Sequence, residues 1–103
     1  MRWLLTVLLA ASAYAGELKL QWDDNSQHED EFRVYRAIDG KTFILIGKTP
    51  KDINKFTDKD VPIGEIVSYR VTAYNNKWGE TPPSNTLEVN TIVEPPSNLR
   101  KAE

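Results

Sequence analysis

Three short segments of this chain alternate apolar and polar residues with a period of two. They cover residues 18–22, 32–36 and 68–75. Because successive side chains of a β-strand point to opposite faces of a sheet, each segment can bury one face and leave the other in water. After the N-terminal apolar stretch, no segment keeps a 3.6-residue apolar period. The pattern predicts a small all-β sandwich and argues against an enzyme.

The N-terminal segment 1–15 has the pattern of a secretory signal peptide. Arg2 supplies a positive charge, residues 4–11 an apolar stretch, and residues 13–15 a small-x-small cleavage site before Gly16. A transmembrane helix needs about 20 apolar residues, so this stretch is too short to span a bilayer. We predict cleavage before Gly16, a secreted, periplasmic or extracellular location, and no membrane span afterwards. An N-terminal core strand or a membrane anchor is the competing interpretation.

The length and composition limit the classes of function. A chain of 103 residues holds one domain at most, besides processing or linking segments. The net charge of −2 argues against nucleic acid as a partner, because that partner requires clustered lysine and arginine. Cysteine is absent. The domain therefore depends on its hydrophobic core, and a thiol nucleophile or a cysteine-ligated metal is excluded.

Assigning the strand faces separates a core from a candidate surface. On the longest segment, Val67, Tyr69 and Val71 share the face opposite to Arg70 and Tyr74. The inward set, large enough for one core, is Leu18, Leu20, Trp22, Phe32, Val34, Val67, Tyr69, Val71, Ala73, Leu87 and Val89. The outward set is Arg33, Tyr35, Arg70, Thr72 and Tyr74.

These segments together resemble a fibronectin type III domain, of the kind common in secreted bacterial and phage proteins. The matching residues are 22–26, Glu29, 32–36, 39–40, 56–58, Gly64, 69–75, Gly79 and 83–85. They follow the order and spacing of the family across residues 17–91. The resemblance implies an immunoglobulin-like sandwich of two antiparallel sheets, with strands B, C, C′, E, F and G. The domain is then expected to occupy residues 16–93.

Two positions depart from the family pattern. Val67 stands where the family usually carries a corner tyrosine that bonds to the backbone, so that hydrogen bond is expected to be lost. Cleavage before Gly16 leaves strand A absent from its usual N-terminal place. The segment 94–99 resembles the linker and strand A start of such a domain, although it lies at the C-terminus.

The C-terminal segment 94–103 has three interpretations. It is an unstructured polar tail, a relic of a lost following domain, or a strand donor. As a donor it would fill the vacant strand A position, on its own domain or a neighbour's. The residues proposed to do so are Pro96, Ser97, Asn98 and Leu99. Donation to a neighbour predicts self-association.

Signals for catalysis or metal binding are weak. His28 is the single histidine, and Ser26 lies near it in a loop without an evident oxyanion hole. The sequence has no glycine-rich phosphate loop and no histidine-pair motif, so it predicts no catalytic residue, no cofactor and no metal site. The acidic loop offers oxygen atoms of the kind that Ca²⁺ binds, but without EF-hand spacing, and turn capping is the favoured interpretation. Its residues are Asp23, Asp24, Asn25, Glu29, Asp30 and Glu31.

Two surfaces are candidates for binding. The loops 23–31 and 75–81 should meet at one end of the sandwich, where Trp78 can anchor a partner. Packing of the Trp78 ring against the sheet is the favoured alternative. The second candidate is the outward patch of Arg33, Tyr35, Arg70 and Tyr74, because arginine and tyrosine are enriched at interfaces. A cross-strand ladder that simply covers the sheet is its favoured alternative.

The sequence therefore predicts a secreted, non-enzymatic binding or adhesion module that contacts a protein or a glycan at an envelope or particle surface. One alternative is a structural subunit that assembles or decorates a larger particle by C-terminal strand donation. The other is a carbohydrate-binding accessory domain. The partner is not named by any motif, and no nucleic acid is expected.

Overall fold

The computed structural model describes residues 7–9, 16–92 and 95–102. Its strands are β1 (Val7–Leu9), β2 (Leu18–Trp22), β3 (Glu31–Ile38), β4 (Ile44–Pro50), β5 (Lys55–Asp58), β6 (Ile66–Asn75), β7 (Gly79–Glu80) and β8 (Leu87–Asn90). The predicted all-β class is confirmed. Within the described residues, no helix has the length and apolar character needed to cross a membrane.

The strands form two antiparallel sheets. The smaller sheet has the order β1-β2-β5, and the larger has the order β4-β3-β6, with β7 and β8 both paired to β6. The longest ladder joins β3 to β6, from the pair Glu31 and Tyr74 to the pair Ile38 and Val67. Pro50 pairs with Glu31 at the same end. The connections 23–30, 51–54 and 76–78 therefore lie together at one end of the sandwich, which we call the loop end.

The core lies between the sheets, where the alternating pattern predicts it. Trp22 and Phe32 meet edge to face at its centre, with ring centroids 5.5 Å apart. The fully or almost fully buried apolar residues are Leu18, Leu20, Trp22, Phe32, Val34, Val61, Val67, Tyr69, Val71 and Ala73. Leu87 and Val89 are partly buried and pack against them. The predicted inward set is thus confirmed, with Val61 as an addition from a loop.

Strand β1 lies along the edge of β2 that was predicted to lack a neighbour. Val7 pairs with Trp22, and Leu9 pairs with Leu20. An unpaired strand edge presents free backbone N–H and C=O groups, which this apolar segment satisfies. The predicted vacancy is therefore partly filled in the uncleaved chain. The rest of the predicted signal peptide, 1–6 and 10–15, lies outside the described residues.

A buried tyrosine hydrogen bond ties the sheets together, although Val67 occupies the corner position. The Tyr69 hydroxyl donates to Asp58 Oδ2 at 2.6 Å. Arg36 Nη1 donates to both Asp58 carboxylate oxygens, at 3.0 and 2.8 Å, and the Asp60 amide donates to Oδ1 at 3.0 Å. Burial raises the pKa of Asp58, but the hydrogen bonds from Tyr69 and Arg36 outweigh it and hold that pKa below its usual value. The network joins β3, β5 and β6.

Candidate functional site

Hydrogen bonds between two loops build the wall of a groove at the loop end. The Asn75 side chain donates to the His28 carbonyl at 2.5 Å, and Asp30 Oδ2 accepts from the Asn76 amide at 2.6 Å. Asn75 Oδ1 also accepts from the Trp78 amide at 2.9 Å. Because side chains on each loop bond to the backbone of the other, the two loops hold a defined shape. They enclose an open groove of about 280 Å³, which we call the Trp78 groove.

Trp78 stands at the rim of this groove with most of its ring in solvent. The residue is 68% exposed. Its ring meets the His28 imidazole edge-on, at a centroid distance of 5.9 Å and an angle of 75°. Lys77 Nζ lies 5.5 Å from the ring centroid. The favoured prediction that Trp78 packs against the sheet is therefore wrong, because most of the residue is in solvent and its ring contacts His28 and Lys77 instead.

The outward face of β3 and β6 is a ladder centred on Glu80. Arg33 lies over the Tyr74 ring, 3.7 Å from its centroid, and its guanidinium is 3.7 Å from Glu80 Oε1. The Tyr35 hydroxyl donates to Glu80 Oε2, as does the Thr72 hydroxyl at 2.6 Å. These pairs match the cross-strand alternative given for this face.

Arg70, on the same outward face, also binds neighbouring side chains. It donates to Thr86 Oγ1 at 2.8 Å and lies over the Phe43 ring, 4.2 Å from its centroid.

Burial raises the pKa of Glu80, yet the hydrogen bonds from Thr72 and Tyr35 lower it overall, so this carboxylate is held charged. The four predicted surface residues are therefore brought together, half-buried, and bound to partners within the sheet. Sequence reasoning missed Glu80, because its two-residue strand is too short to give an alternating pattern.

The loop end also contains a cluster of three carboxylates. Asp24, Glu29 and Asp52 each place one carboxylate oxygen within 4.8 Å of the others. Asp24 Oδ1 accepts from the Ser26 amide at 3.2 Å, which is the turn cap that the sequence predicts. Burial raises the pKa of Glu29, and the Asp24 carboxylate raises it further, against the lowering effect of the backbone amide of Glu29 itself.

No nucleophile–base pair forms around His28. Among the described residues, its imidazole makes no hydrogen bond to a hydroxyl or a carboxylate, and its ring contact is with Trp78. Ser26 is buried at 8% exposure and has its amide capped by Asp24. A triad needs the base to contact both the nucleophile and an orienting carboxylate, so this arrangement does not provide one.

The predicted strand donor lies apart from these surfaces. Residues 96–99 are exposed and belong to no strand, and Leu99 is 100% exposed. Within the chain they do not pair with β2, whose partners are β1 and β5. Donation of this segment to its own domain is therefore not observed, whereas donation to a second copy stays a prediction.

The strand order and the two-sheet packing define a sandwich with the fibronectin type III-like, immunoglobulin-like fold. A superposition on the fn3 domain of the human collagen alpha-1(XX) chain gives a TM-score of 0.65 at 14% identity, covering 97% of this chain and 88% of that domain. Pectate lyase PelI from Erwinia chrysanthemi, solved in complex with tetragalacturonic acid, gives 0.70 at 18% identity, covering 82% of this chain and 28% of the lyase.

A curated protein shares sequence with the chain as well. It is the exo beta-1,2-glucooligosaccharide sophorohydrolase (non-reducing end) of Parabacteroides distasonis, which is 29% identical over 86 residues. The match covers 82% of this chain and 12% of the hydrolase. No protein-family model matches the chain. The chain is thus similar in fold to the fn3 domain of collagen alpha-1(XX) and to a minor part of pectate lyase PelI, and in sequence to a minor part of the hydrolase.

Proposed function

We propose that this protein is a secreted, non-catalytic accessory module that binds a glycan through the Trp78 groove. The observation that carries the proposal is an aromatic ring, 68% exposed, on the rim of a groove whose walls are fixed by hydrogen bonds. A flat indole face offers the apolar C–H face of a sugar ring a large contact area, while neighbouring polar groups can bind hydroxyls. His28 and Glu80 are such groups in the groove lining.

The similarities favour a glycan over a protein as the partner. The curated relative is named for its action on glucooligosaccharides, and the pectate lyase was solved with a galacturonate oligomer. The chain is similar to only 12% and 28% of those proteins. Such a part can serve an enzyme by holding its substrate. The absence of a triad around His28 in the described residues agrees with a role in binding, and the leader pattern of residues 1–15 agrees with secretion.

The test measures, by calorimetry or on a glycan array, whether the purified protein binds β-1,2-glucooligosaccharides and tetragalacturonate. The variant Trp78→Ala should weaken binding at least about tenfold, because the anchor of the groove is removed. Ile63→Ala is the matched control, since Ile63 is 52% exposed and lies at the opposite end of the sandwich. Equal binding by the Trp78 variant and the native protein would disprove the role of the groove.

Strand donation between copies is the second candidate. Its specific support is that β1, which pairs with Leu20 to Trp22 of β2, belongs to the predicted leader, while the segment 96–99 is exposed. If the leader is removed, an open edge and a spare segment are present in the same molecule. Deletion of residues 94–103 should then lower the oligomeric mass at high concentration. An unchanged mass at two concentrations would contradict it.

A further inference from the structure

The β4–β5 connection is held directly against the start of the β2–β3 loop. The Trp22 amide donates to the Asn54 carbonyl at 3.2 Å, and the Asn54 side chain donates to the Trp22 carbonyl at 2.7 Å. These bonds extend the β2–β5 ladder by one position beyond its last strand pair. Asp24 follows Trp22 by two residues and Asp52 precedes Asn54 by two, so the paired backbones bring both carboxylates to the same point.

Glu29 completes this group from the far end of the β2–β3 loop. One oxygen from each of Asp24, Glu29 and Asp52 lies within 4.8 Å of the others. Two ligands on opposite sides of a Ca²⁺ ion are separated by about 4.8 Å, twice the usual Ca–O distance of roughly 2.4 Å. The observed spread is thus compatible with one shared ion.

The burial of Glu29 is a separate observation that points to a ligand. Glu29 is 3% exposed, and neither of its carboxylate oxygens meets the distance and angle of a hydrogen bond in the described part of the chain, although its own amide and the Ser26 side chain act to lower its pKa. Buried carboxylates are normally paired with a cation or fully hydrogen-bonded, because removing an unpaired charge from water is strongly unfavourable. The ion pairs formed by the described residues involve Glu31, Glu80 and Asp58, and none reaches the three clustered carboxylates.

We propose that Asp24, Glu29 and Asp52 form a Ca²⁺ site. Three carboxylates supply only hard oxygen ligands, which suit Ca²⁺ and give no thiolate or imidazole for zinc. Two of the three side chains are exposed, so water can complete the six to eight ligands that Ca²⁺ takes. The site departs from the sequence prediction of no metal. Its ligands come from two loops that are far apart in the sequence, so no motif of fixed spacing could reveal the site.

Coordination would also act on the neighbouring groove. Glu29 lines the Trp78 groove, and the loop that carries it also carries His28. An ion bridging that loop to the β4–β5 connection would restrain one wall of the groove. The metal proposal does not depend on glycan binding, however, and its test uses Ca²⁺ alone.

The experiment is a calorimetric titration and a thermal melt of the metal-free full chain with Ca²⁺ and, separately, with Mg²⁺. We expect Ca²⁺ to bind with a Kd of roughly 10⁻⁴ to 10⁻³ M, as in extracellular calcium modules, and to raise Tm by several degrees at about 10 mM. Mg²⁺ should bind more weakly, because it demands near-octahedral geometry. Glu29→Gln and Asp52→Asn should each weaken Ca²⁺ binding at least about tenfold, since each removes a charged ligand.

Asp23→Asn is the matched control, because it changes an exposed acid in the same loop that lies outside the cluster. It should keep the calcium-dependent rise in Tm. Asp52→Asn changes an exposed residue and should fold normally, so the test does not depend on the folding of the Glu29 variant. Absence of heat and of a Tm shift in the native protein would overturn the proposal. An equal loss in the Asp23 variant would overturn it too, by indicating general charge screening.

Discussion

Asp58 and Glu29 are equally buried carboxylates with opposite surroundings. Asp58 is 4% exposed and Glu29 is 3% exposed. Asp58 receives hydrogen bonds from Tyr69, Arg36 and the Asp60 amide. Neither carboxylate oxygen of Glu29 meets the distance and angle of a hydrogen bond to a described residue, and another carboxylate, that of Asp24, lies close by. Burial alone therefore does not define the role of an acid in this fold.

The pKa directions of the two groups follow from this difference. Burial raises both pKa values, but in Asp58 the bonds from Tyr69 and Arg36 outweigh burial and the net direction is downward. In Glu29 burial dominates and the net direction is upward. Asp58 thus joins the two sheets through its hydrogen bonds, whereas Glu29 has the buried, unpaired surroundings from which the Ca²⁺ site is proposed.

The largest expected effect comes from breaking the satisfied network. Asp58→Asn should lower the free energy of unfolding by about 3 kcal/mol, because it leaves the Arg36 side chain, which is only 14% exposed, without its counter-charge. Urea denaturation measures the loss. Asp60→Asn, an exposed neighbour on the same connection, should change stability by less than about 0.5 kcal/mol. A loss below about 1 kcal/mol in the Asp58 variant would mean that the network is dispensable.

Low pH should remove the stabilisation that charged Asp58 gives to the native protein. The folded pKa of Asp58 is lowered, so its stabilisation is fully present above the unfolded pKa of about 3.9 and is lost as pH falls through the folded value. Unfolding midpoints measured from pH 6 downwards should show this decline. In Asp58→Asn the decline should be smaller, and an identical pH profile would assign the acid sensitivity to other groups.

Removal of one hydroxyl should have a moderate effect. Tyr69→Phe deletes a buried hydrogen bond to a charged acceptor and should destabilise the fold by about 2 kcal/mol. Tyr35→Phe is the comparison, because its hydroxyl also donates to a carboxylate but from the half-buried ladder. We expect about 1 kcal/mol or less there, since water can replace the lost partner. The ratio of the two losses in free energy of unfolding tests how much burial strengthens the hydrogen bond.

The smallest effect is expected for the unsatisfied acid. In metal-free buffer, Glu29→Gln should leave stability unchanged or raise it by about 1 kcal/mol, because it removes a buried charge that lacks a counter-charge. Chemical denaturation with a chelator present measures this. Glu88→Gln, on the exposed face of β8, serves as the reference. A loss in free energy of unfolding as large as that of Asp58→Asn would show that Glu29 also stabilises the fold through its carboxylate.

The alternation of side chains predicts the core because burial alternates along β2 and the first half of β3. Trp22, Phe32 and Tyr69 were predicted inward on that basis, and all three are 0% exposed. The outward pairing of Arg33 with Tyr74 followed from the same faces. Strand periodicity constrains the neighbours of each residue across the sheet, so these features could be predicted from local sequence.

The loop end could not be predicted in the same way. Trp78 lies in a turn, where no periodicity fixes the direction of a side chain, and it proved exposed. The contact between Asp52 and Asp24 depends on how far the β2–β5 ladder extends, which is decided by the Asn54 hydrogen bonds. Predicting a site assembled from several loops requires knowledge of the register of the strands that carry those loops. That register becomes known only once the strands are paired.

The exposed lysine of β2 bears on what happens to that strand if the predicted leader is cleaved. β1, which pairs with Leu20 to Trp22, belongs to that leader. Lys19 is exposed on the same strand. A strand of another molecule that joined β2 in place of β1 would have to desolvate the Lys19 ammonium, which disfavours uncontrolled growth of the sheet. We therefore expect this lysine to act as a gatekeeper against aggregation along β2 in the cleaved protein.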